Sequence, residues 1–298
     1  MTDLREQPDD SFLHVRPSVS FLDSETGFSE AKFVVVGAPL DVTGTFRTGY
    51  RDAPMAIRAA SSQIETYSSR YSYDAESATL HDLGDINVGF DVSSAVRFIE
   101  ETVAQIRSNQ KVPIILGGEH TVTLGSFLGS GAERLVVFDA HMDLREEYQG
   151  VTLSHATWLR RLSERISPAR ILIVGARATS HDELASLPTG INIMHSAEIR
   201  DKENDFVNWI EDAKDCYISL DLDYFDPAYA PGVGNPEPGG SSPDDLFRLL
   251  SRLKKPRIVG LDVCEVVPRL DPSGITSVLA TKVVIELLSL ISVKHLSK

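Results

Sequence analysis

The sequence predicts one α/β/α domain built on a largely parallel sheet. Three observations carry that prediction. Short apolar runs recur along the chain, helical segments separate them, and charged residues stand directly after several of the runs. The runs are FVVVG at 33–37, PIIL at 113–116, RLVVF at 134–138, ILIVG at 171–175, INIM at 191–194, CYISL at 216–220 and RIVGL at 257–261, with a weaker one at 79–82. They are continuous rather than alternating, which marks strands buried on both faces. A helix is expected over 93–107, led by Asp91, Ser93 and Ser94. Another is expected over 243–253, where Ser242 can cap, Pro243 suits the first turn, and Asp244 and Asp245 complement the helix dipole. A last helix is expected from about 275 to 292. Strand and helix alternating in this way imply a single domain. It is taken as 1–298, with 1–30 as an N-terminal extension and 31–292 as the core. No repeat or composition break marks a linker.

Composition narrows the function. With 298 residues, 42% hydrophobic and 24% charged, the chain can bury a substantial core. A net charge of −14 argues against nucleic-acid phosphate as a partner and is compatible with a small cationic substrate. Cys216 and Cys264 lie in apolar runs without a CxxC pair, so both are expected to be buried, reduced thiols of a cytoplasmic protein. The first thirty residues are polar and acidic, and no apolar stretch approaches ~20 residues, so neither a signal peptide nor a membrane span is expected.

The chemistry gathers where the strands end. Ligands of parallel α/β sheets bind outside the carboxyl ends of the strands. PIIL runs into GGEH and His120; RLVVF into Asp139, His141 and Asp143; CYISL into Asp221 and Asp223; RIVGL into Asp262 and Glu265; ILIVG into Arg177. In extended backbone, residues two apart share a face, so Asp139, His141 and Asp143 would project together, as would Asp221 and Asp223. A lone DxD is more often a pair of solvated turn acids. Here four aspartates and two histidines meet at one edge, and four carboxylate charges balance two divalent ions. Two such ions about 3.5–4 Å apart can hold a bridging hydroxide. An oxygen-rich donor set without cysteine favours Mn²⁺ over structural zinc. His14, His81, His181, His195 and His295 have no such company and are expected to be structural or surface groups. The Pro/Gly-rich stretch 227–243 is long for a connection, which points to a functional loop.

The blocks GGEH, DAHMD and SLDLDYFDP resemble the signature blocks of the ureohydrolases, the arginase/agmatinase family. FRTGYRDAPMAIRAAS, DLGD, LSHATWLRR, GVGNPEPGG and DVCEVVPRLDPSGIT extend the resemblance over roughly residues 33–290, with an agmatinase-like character. It implies an arginase-like three-layer α/β/α fold with an eight-stranded, mainly parallel sheet, two Mn²⁺ per chain, and a homotrimer or homohexamer. It implies that His120, Asp139, Asp143 and Asp221 hold one ion, and Asp139, His141, Asp221 and Asp223 the other. His155 falls at the family's proton-shuttling position, and Glu265 where a glutamate pairs with the substrate guanidinium. The sequence departs from the family where the usual Arg-Pro-Gly reads RTGYRDAP, at Ala156, and at Cys264 before the key glutamate.

These parts imply hydrolysis of a guanidino compound to urea and an amine. Glu265 would clamp the planar cation, and His155 or Asp143 would pass a proton to the departing nitrogen. Agmatine, giving putrescine for polyamine biosynthesis, is the favoured substrate. Guanidinobutyrate, arginine or a formimidoyl compound are the alternatives, as is a silent metal-binding homologue. Arginases place Asn, Ser and Thr after the third motif aspartate, whereas DLREEYQGVTLSH offers Glu146 and Glu147, which are expected to welcome an amine tail.

Overall fold

The structure is a computed structural model describing residues 12–16 and 18–296. Its strands are β1 (Val15–Arg16), β2 (Phe33–Ala38), β3 (Tyr67–Ser68), β4 (Tyr73–Asp74), β5 (Leu80–Ile86), β6 (Val112–Gly117), β7 (Arg134–Phe138), β8 (Ile171–Ala176), β9 (Asn192–His195), β10 (Cys216–Asp221) and β11 (Ile258–Cys264). Its helices are α1 (Ala53–Ser61), α2 (Val92–Ser108), α3 (Val122–Ser130), α4 (Trp158–Ser163), α5 (His181–Ala185), α6 (Glu203–Glu211), α7 (Pro243–Ser251) and α8 (Ile275–Leu296). All eight apolar runs become strands, and the three expected helices form as α2, α7 and α8.

Among the described residues the main sheet has nine strands in the order β1-β5-β2-β6-β11-β10-β7-β8-β9. Every pairing is parallel except β1 with β5. The eight strands expected are therefore the parallel ones. The ninth is a two-residue edge strand, too short to leave a periodic signal, that ties the start of the described chain to Asp85 and Ile86. β3 and β4 form a separate small hairpin.

Apolar layers cover both faces of the sheet. One packs Ile57 of α1, Phe206 of α6, Leu249 of α7 and Leu287 of α8 against the sheet. The other faces carry Ile99 of α2, Phe127 of α3 and Leu159 of α4. The continuous apolar character of the strands follows from this double coverage. Over Ile275–Lys294, α8 is long and apolar enough on average to cross a membrane, a feature the sequence reading missed because Ser, Thr, Lys282 and Glu286 interrupt the run. Of its most apolar window, 83% is buried inside the fold, which makes it a core helix.

Buried charges fasten the layers where apolar contact cannot. Arg58 of α1 is fully buried and reaches Asp82 at 2.8 Å, Asp85 at 2.6 Å and the Gly84 carbonyl at 2.9 Å, all on the DLGD segment of β5. Removing one partner of such a pair strands a buried charge, which costs about 3–5 kcal/mol.

The start of α7 gives a pH-dependent element. Ser242 accepts from the Asp245 N–H, and the Asp245 carboxylate accepts from the Ser242 N–H. The Ser242 hydroxyl, with Arg248 and Arg200 and against burial, holds Asp245 down to about 2 from its usual 3.8. A depressed carboxyl stabilises the fold above its unfolded pKa, and that contribution disappears as pH falls through the folded value. Urea midpoints of wild type and Asp245→Asn should therefore differ at about pH 6 and converge toward about pH 2. A gap that stays constant with pH would contradict the assignment.

Candidate active site and metal centre

The site lies at the carboxyl ends of β6, β7, β10 and β11, which are neighbours in the sheet. β6 ends in Gly117, and Gly118 runs against the backbone of residue 40, where a Cβ would collide with the Leu40 main chain. That close approach brings the segment after β2 alongside GGEH. Gly118 N donates to the Ala38 carbonyl at 2.8 Å and Glu119 N to the Leu40 carbonyl at 2.8 Å.

Of the aspartates expected as metal ligands, only Asp221 lies on an extended strand, as the last residue of β10. β7 stops at Phe138, and Asp143 sits in the left-handed region at φ 53°. Turns replace the expected alternation. The Asp139 carboxylate accepts from the His141 N–H at 2.5 Å, and the Asp221 carboxylate accepts from the Asp223 N–H at 2.7 Å. An aspartate bonding the backbone two residues on is a compact way to fold a chain back. Each turn brings its two metal-competent side chains into the same space.

Three carboxylates converge on one ring nitrogen. Asp139 Oδ2 lies 3.0 Å from His120 Nδ1, and Asp143 Oδ2 and Asp221 Oδ2 each lie 3.3 Å from it. None makes a directional hydrogen bond, so Nδ1 is buried without a hydrogen-bond partner and faces the space the carboxylates share. His120 Nε2 meets Ser219 Oγ at 2.9 Å, and Ser219 Oγ donates to Asp262 at 2.6 Å. This backing fixes the ring, as partners behind metal-binding histidines commonly do. His141 Nδ1 lies 2.8 Å from Asp223 Oδ2 and 3.6 Å from Asp139 Oδ1. His120, Asp139 and Asp143 thus form one group able to hold a cation, and Asp139, His141 and Asp223 a second, with Asp139 in both.

The electrostatics describe a site short of positive charge. Burial opposes charge on His120 and His141, yet the carboxylates raise both well above the usual imidazole range. Burial, then Asp223 and Asp139, push Asp221 well up. Against its own burial, Asp223 is held low by His141. Burial pushes Glu265 up to about 8, opposed by the His120 N–H and ring and reinforced by Asp223 and Glu119. Glu265 follows β11 at φ 67°, with Oε1 accepting from His120 N at 2.8 Å. Dications are the counter-charge this donor set fits.

A cavity of about 420 Å³ opens over these groups, lined among others by His155, Glu265, Phe46, Tyr148, Arg145 and Glu237. The 227–243 loop contributes Asn235, Pro236 and Glu237. His155 is brought to the cavity, with Thr43 and Thr45 on its ring. Asp143 Oδ2 also accepts from Trp158 Nε1 at 2.7 Å, so the LSHATWLRR segment anchors a metal-competent residue as well as supplying His155.

Some expectations change. Glu146 pairs with Arg160 and Arg161 of α4, and neither it nor Glu147 lines the cavity. Both residues are exposed, and Arg160 and Arg161 draw Glu146 outward. Arg177 donates to the Asp223, Tyr224 and Glu237 carbonyls at 2.6, 3.2 and 2.7 Å, so it staples two site loops together. Asp262 lies in β11 behind Ser219 rather than among the convergent carboxylates. His14, His81 and His195 bond Glu101, the Thr26 carbonyl and the Ala176 carbonyl, and His181 is exposed. The His295 side chain lies outside the described residues. Cys216 and Cys264 are free and buried.

The sequence reading missed Ser219, Trp158, Thr43, Thr45, Glu119 and Glu237. Ser219 had a signal, since it stands two residues before Asp221 on the same face of β10. Trp158 reaches Asp143 from the start of α4, 15 residues on, and the others depend on loops meeting across long sequence separations.

Comparison with known proteins agrees with this geometry. The model of the arginase family matches residues 31–289. An agmatinase of Halalkalibacterium halodurans is 32% identical, covering 90% of this chain and 95% of that protein. A guanidinobutyrase of Pseudomonas aeruginosa is 31% identical, covering 85% and 84%. The crystal structure of agmatine ureohydrolase of Thermoplasma volcanium superposes with a TM-score of 0.88 at 33% identity, covering 95% of this chain and 97% of that one. The chain belongs to the arginase family and is an agmatinase-like amidinohydrolase, a hydrolase of C–N bonds in linear amidines.

Proposed function

We propose that the protein hydrolyses agmatine to putrescine and urea, using two Mn²⁺ ions per chain, as a homo-oligomeric cytoplasmic enzyme. The observation that carries the metal reading is the convergence of three carboxylates on the unpartnered His120 Nδ1, with Asp139 shared by a second group. His120, Asp139, Asp143 and Asp221 would hold one ion, and Asp139, His141, Asp221 and Asp223 the other. When bound, such a pair supplies Lewis acidity and lowers the pKa of a bound water.

The chain's own groups do the rest. Glu265 keeps one carboxylate oxygen on the His120 N–H and lines the cavity. A planar guanidinium gives this buried carboxylate the cationic partner it lacks, through charge-assisted hydrogen bonds. That contact sets the amidine carbon over the carboxylate cluster, which is catalysis by positioning. His155 passes a proton to the nitrogen that leaves as the amine, since that nitrogen departs poorly as an anion. Asp143, bonded to Trp158, is a ligand that also faces the cavity and would assist that transfer.

Tail selectivity moves from Glu146 and Glu147 to the cavity rim. Glu237 lines the cavity, and its carboxylate has no hydrogen-bond or ion-pair partner among the described residues. It suits a tail ammonium. A second reading comes from Arg145, which also lines the cavity and suits a carboxylate tail. Arg145 already faces Glu183 at 3.5 Å and lies over the Tyr148 ring at 5.0 Å. The compensated arginine and the free carboxylate favour the amine tail. Urea release with Mn²⁺ across agmatine, arginine and 4-guanidinobutyrate tests this. Agmatine should exceed arginine by roughly 10³-fold in kcat/KM, the size expected when a site meets the wrong charge. Arginine or guanidinobutyrate equal to agmatine would overturn the amine-tail reading.

A further inference from the structure

We propose that Thr43, held by Glu119, fixes His155 in one tautomer, with the proton on Nδ1 and Nε2 left free as the proton-carrying atom. Thr43 and Glu119 are then positioning residues, acting through the histidine.

The argument is a count of protons. Glu119 is fully buried, and four donors point at its carboxylate. Val42 N and Thr43 N donate to Oε2 at 2.9 and 2.7 Å. Thr43 Oγ1 and Thr121 Oγ1 donate to Oε1 at 2.8 and 3.1 Å. A threonine hydroxyl has one hydrogen. Thr43 has two candidates for it, a carboxylate oxygen at 2.8 Å and His155 Nδ1 at 3.4 Å. The shorter, charge-assisted bond takes the hydrogen. Thr43 Oγ1 can then only accept, and it already accepts from His155 N at 3.0 Å. For the ring to bond it, Nδ1 must carry a hydrogen. In a neutral imidazole that leaves Nε2 bare.

Nε2 is where a proton carrier is wanted. Thr45 Oγ1 lies 3.3 Å from it and lines the cavity, as does His155 itself. The Thr45 hydroxyl can donate to the bare Nε2 of the neutral ring and accept from the protonated ring, so either state keeps a partner. The anchor for this arrangement comes from far along the chain, because Glu119 binds the loop after β2 while His155 precedes α4. A one-residue neighbour of His120 thereby sets the chemistry of a histidine on another segment.

The inference rests on His155 as proton carrier, so its test includes a reading independent of turnover. Full-length protein with isotope-labelled histidine ring nitrogens, loaded with diamagnetic Mg²⁺, can be studied by solid-state NMR, with His155 assigned by loss of its signals in His155→Gln. The neutral wild-type ring should show Nδ1 protonated and Nε2 bare, and Thr43→Val should shift it toward the Nε2–H tautomer. A wild-type ring protonated on Nε2, or no change in Thr43→Val, would overturn the proposal whatever the substrate proves to be. In kinetics, Thr43→Val should lower kcat roughly 10- to 100-fold, part of the span for general acid–base catalysis, with KM and metal content unchanged. Thr43→Ser, which keeps the hydroxyl, should restore most of it. A Thr43→Val enzyme with wild-type kcat would also overturn it.

Discussion

Asp139→Ala should lose both metal ions together and reduce urea release more than about 10³-fold, beyond the 10- to 100-fold typical of residues behind the ligands. The reason is geometric. One Asp139 oxygen lies 3.0 Å from His120 Nδ1, and the other faces His141 and accepts its N–H. Among the described residues Asp139 belongs to both His/Asp groups that can hold a cation, and Asp221, the other carboxylate proposed to be shared, meets a ring nitrogen only on the His120 side, at 3.3 Å. His120→Ala should be milder in metal content, losing about one ion, because the group around His141 and Asp223 survives it. Metal analysis of both variants beside their kcat values checks the ordering. An Asp139→Ala protein that keeps two ions, or a His120→Ala protein that loses both while Asp139→Ala loses one, would contradict a shared carboxylate.

His155→Ala should lower kcat by roughly 10²- to 10⁴-fold, the range for losing a general acid–base group, while metal content stays near that of wild type. His155 is buried at the cavity wall, and its ring meets Thr43, Thr45 and the edge of Tyr148 rather than any of the convergent carboxylates. Truncation should therefore leave the metal centre intact. Metal content separates this loss from that of Asp139→Ala. Full turnover in His155→Ala at neutral pH would assign the proton transfer to another group, with Asp143 the next candidate.

The parallel sheet was legible because its strands are buried on both faces and so read as continuous apolar runs. β1 was not, since two residues carry no period. The ligand candidates could be read from their place after the strands, although the reason given for their meeting was incomplete. Extended alternation was expected, and aspartate-to-backbone turns at Asp139 and Asp221 do the folding instead. Glu146 was misplaced because its direction depends on Arg160 and Arg161, 14 and 15 residues later, which draw it to the surface. Arg177 stood at the correct sheet edge, yet its carbonyl partners arise only once the 223–225 and 237–238 backbones are packed beside it. Thr43 and Glu119 are 76 positions apart, and no local pattern announces that contact.

The most direct test of a two-metal amidinohydrolase is a titration of metal-stripped protein with Mn²⁺, following bound metal and urea release from agmatine in the same samples. The account predicts that activity rises with occupancy and saturates close to two ions per chain. Full activity in the stripped protein, or saturation at one ion, would contradict it.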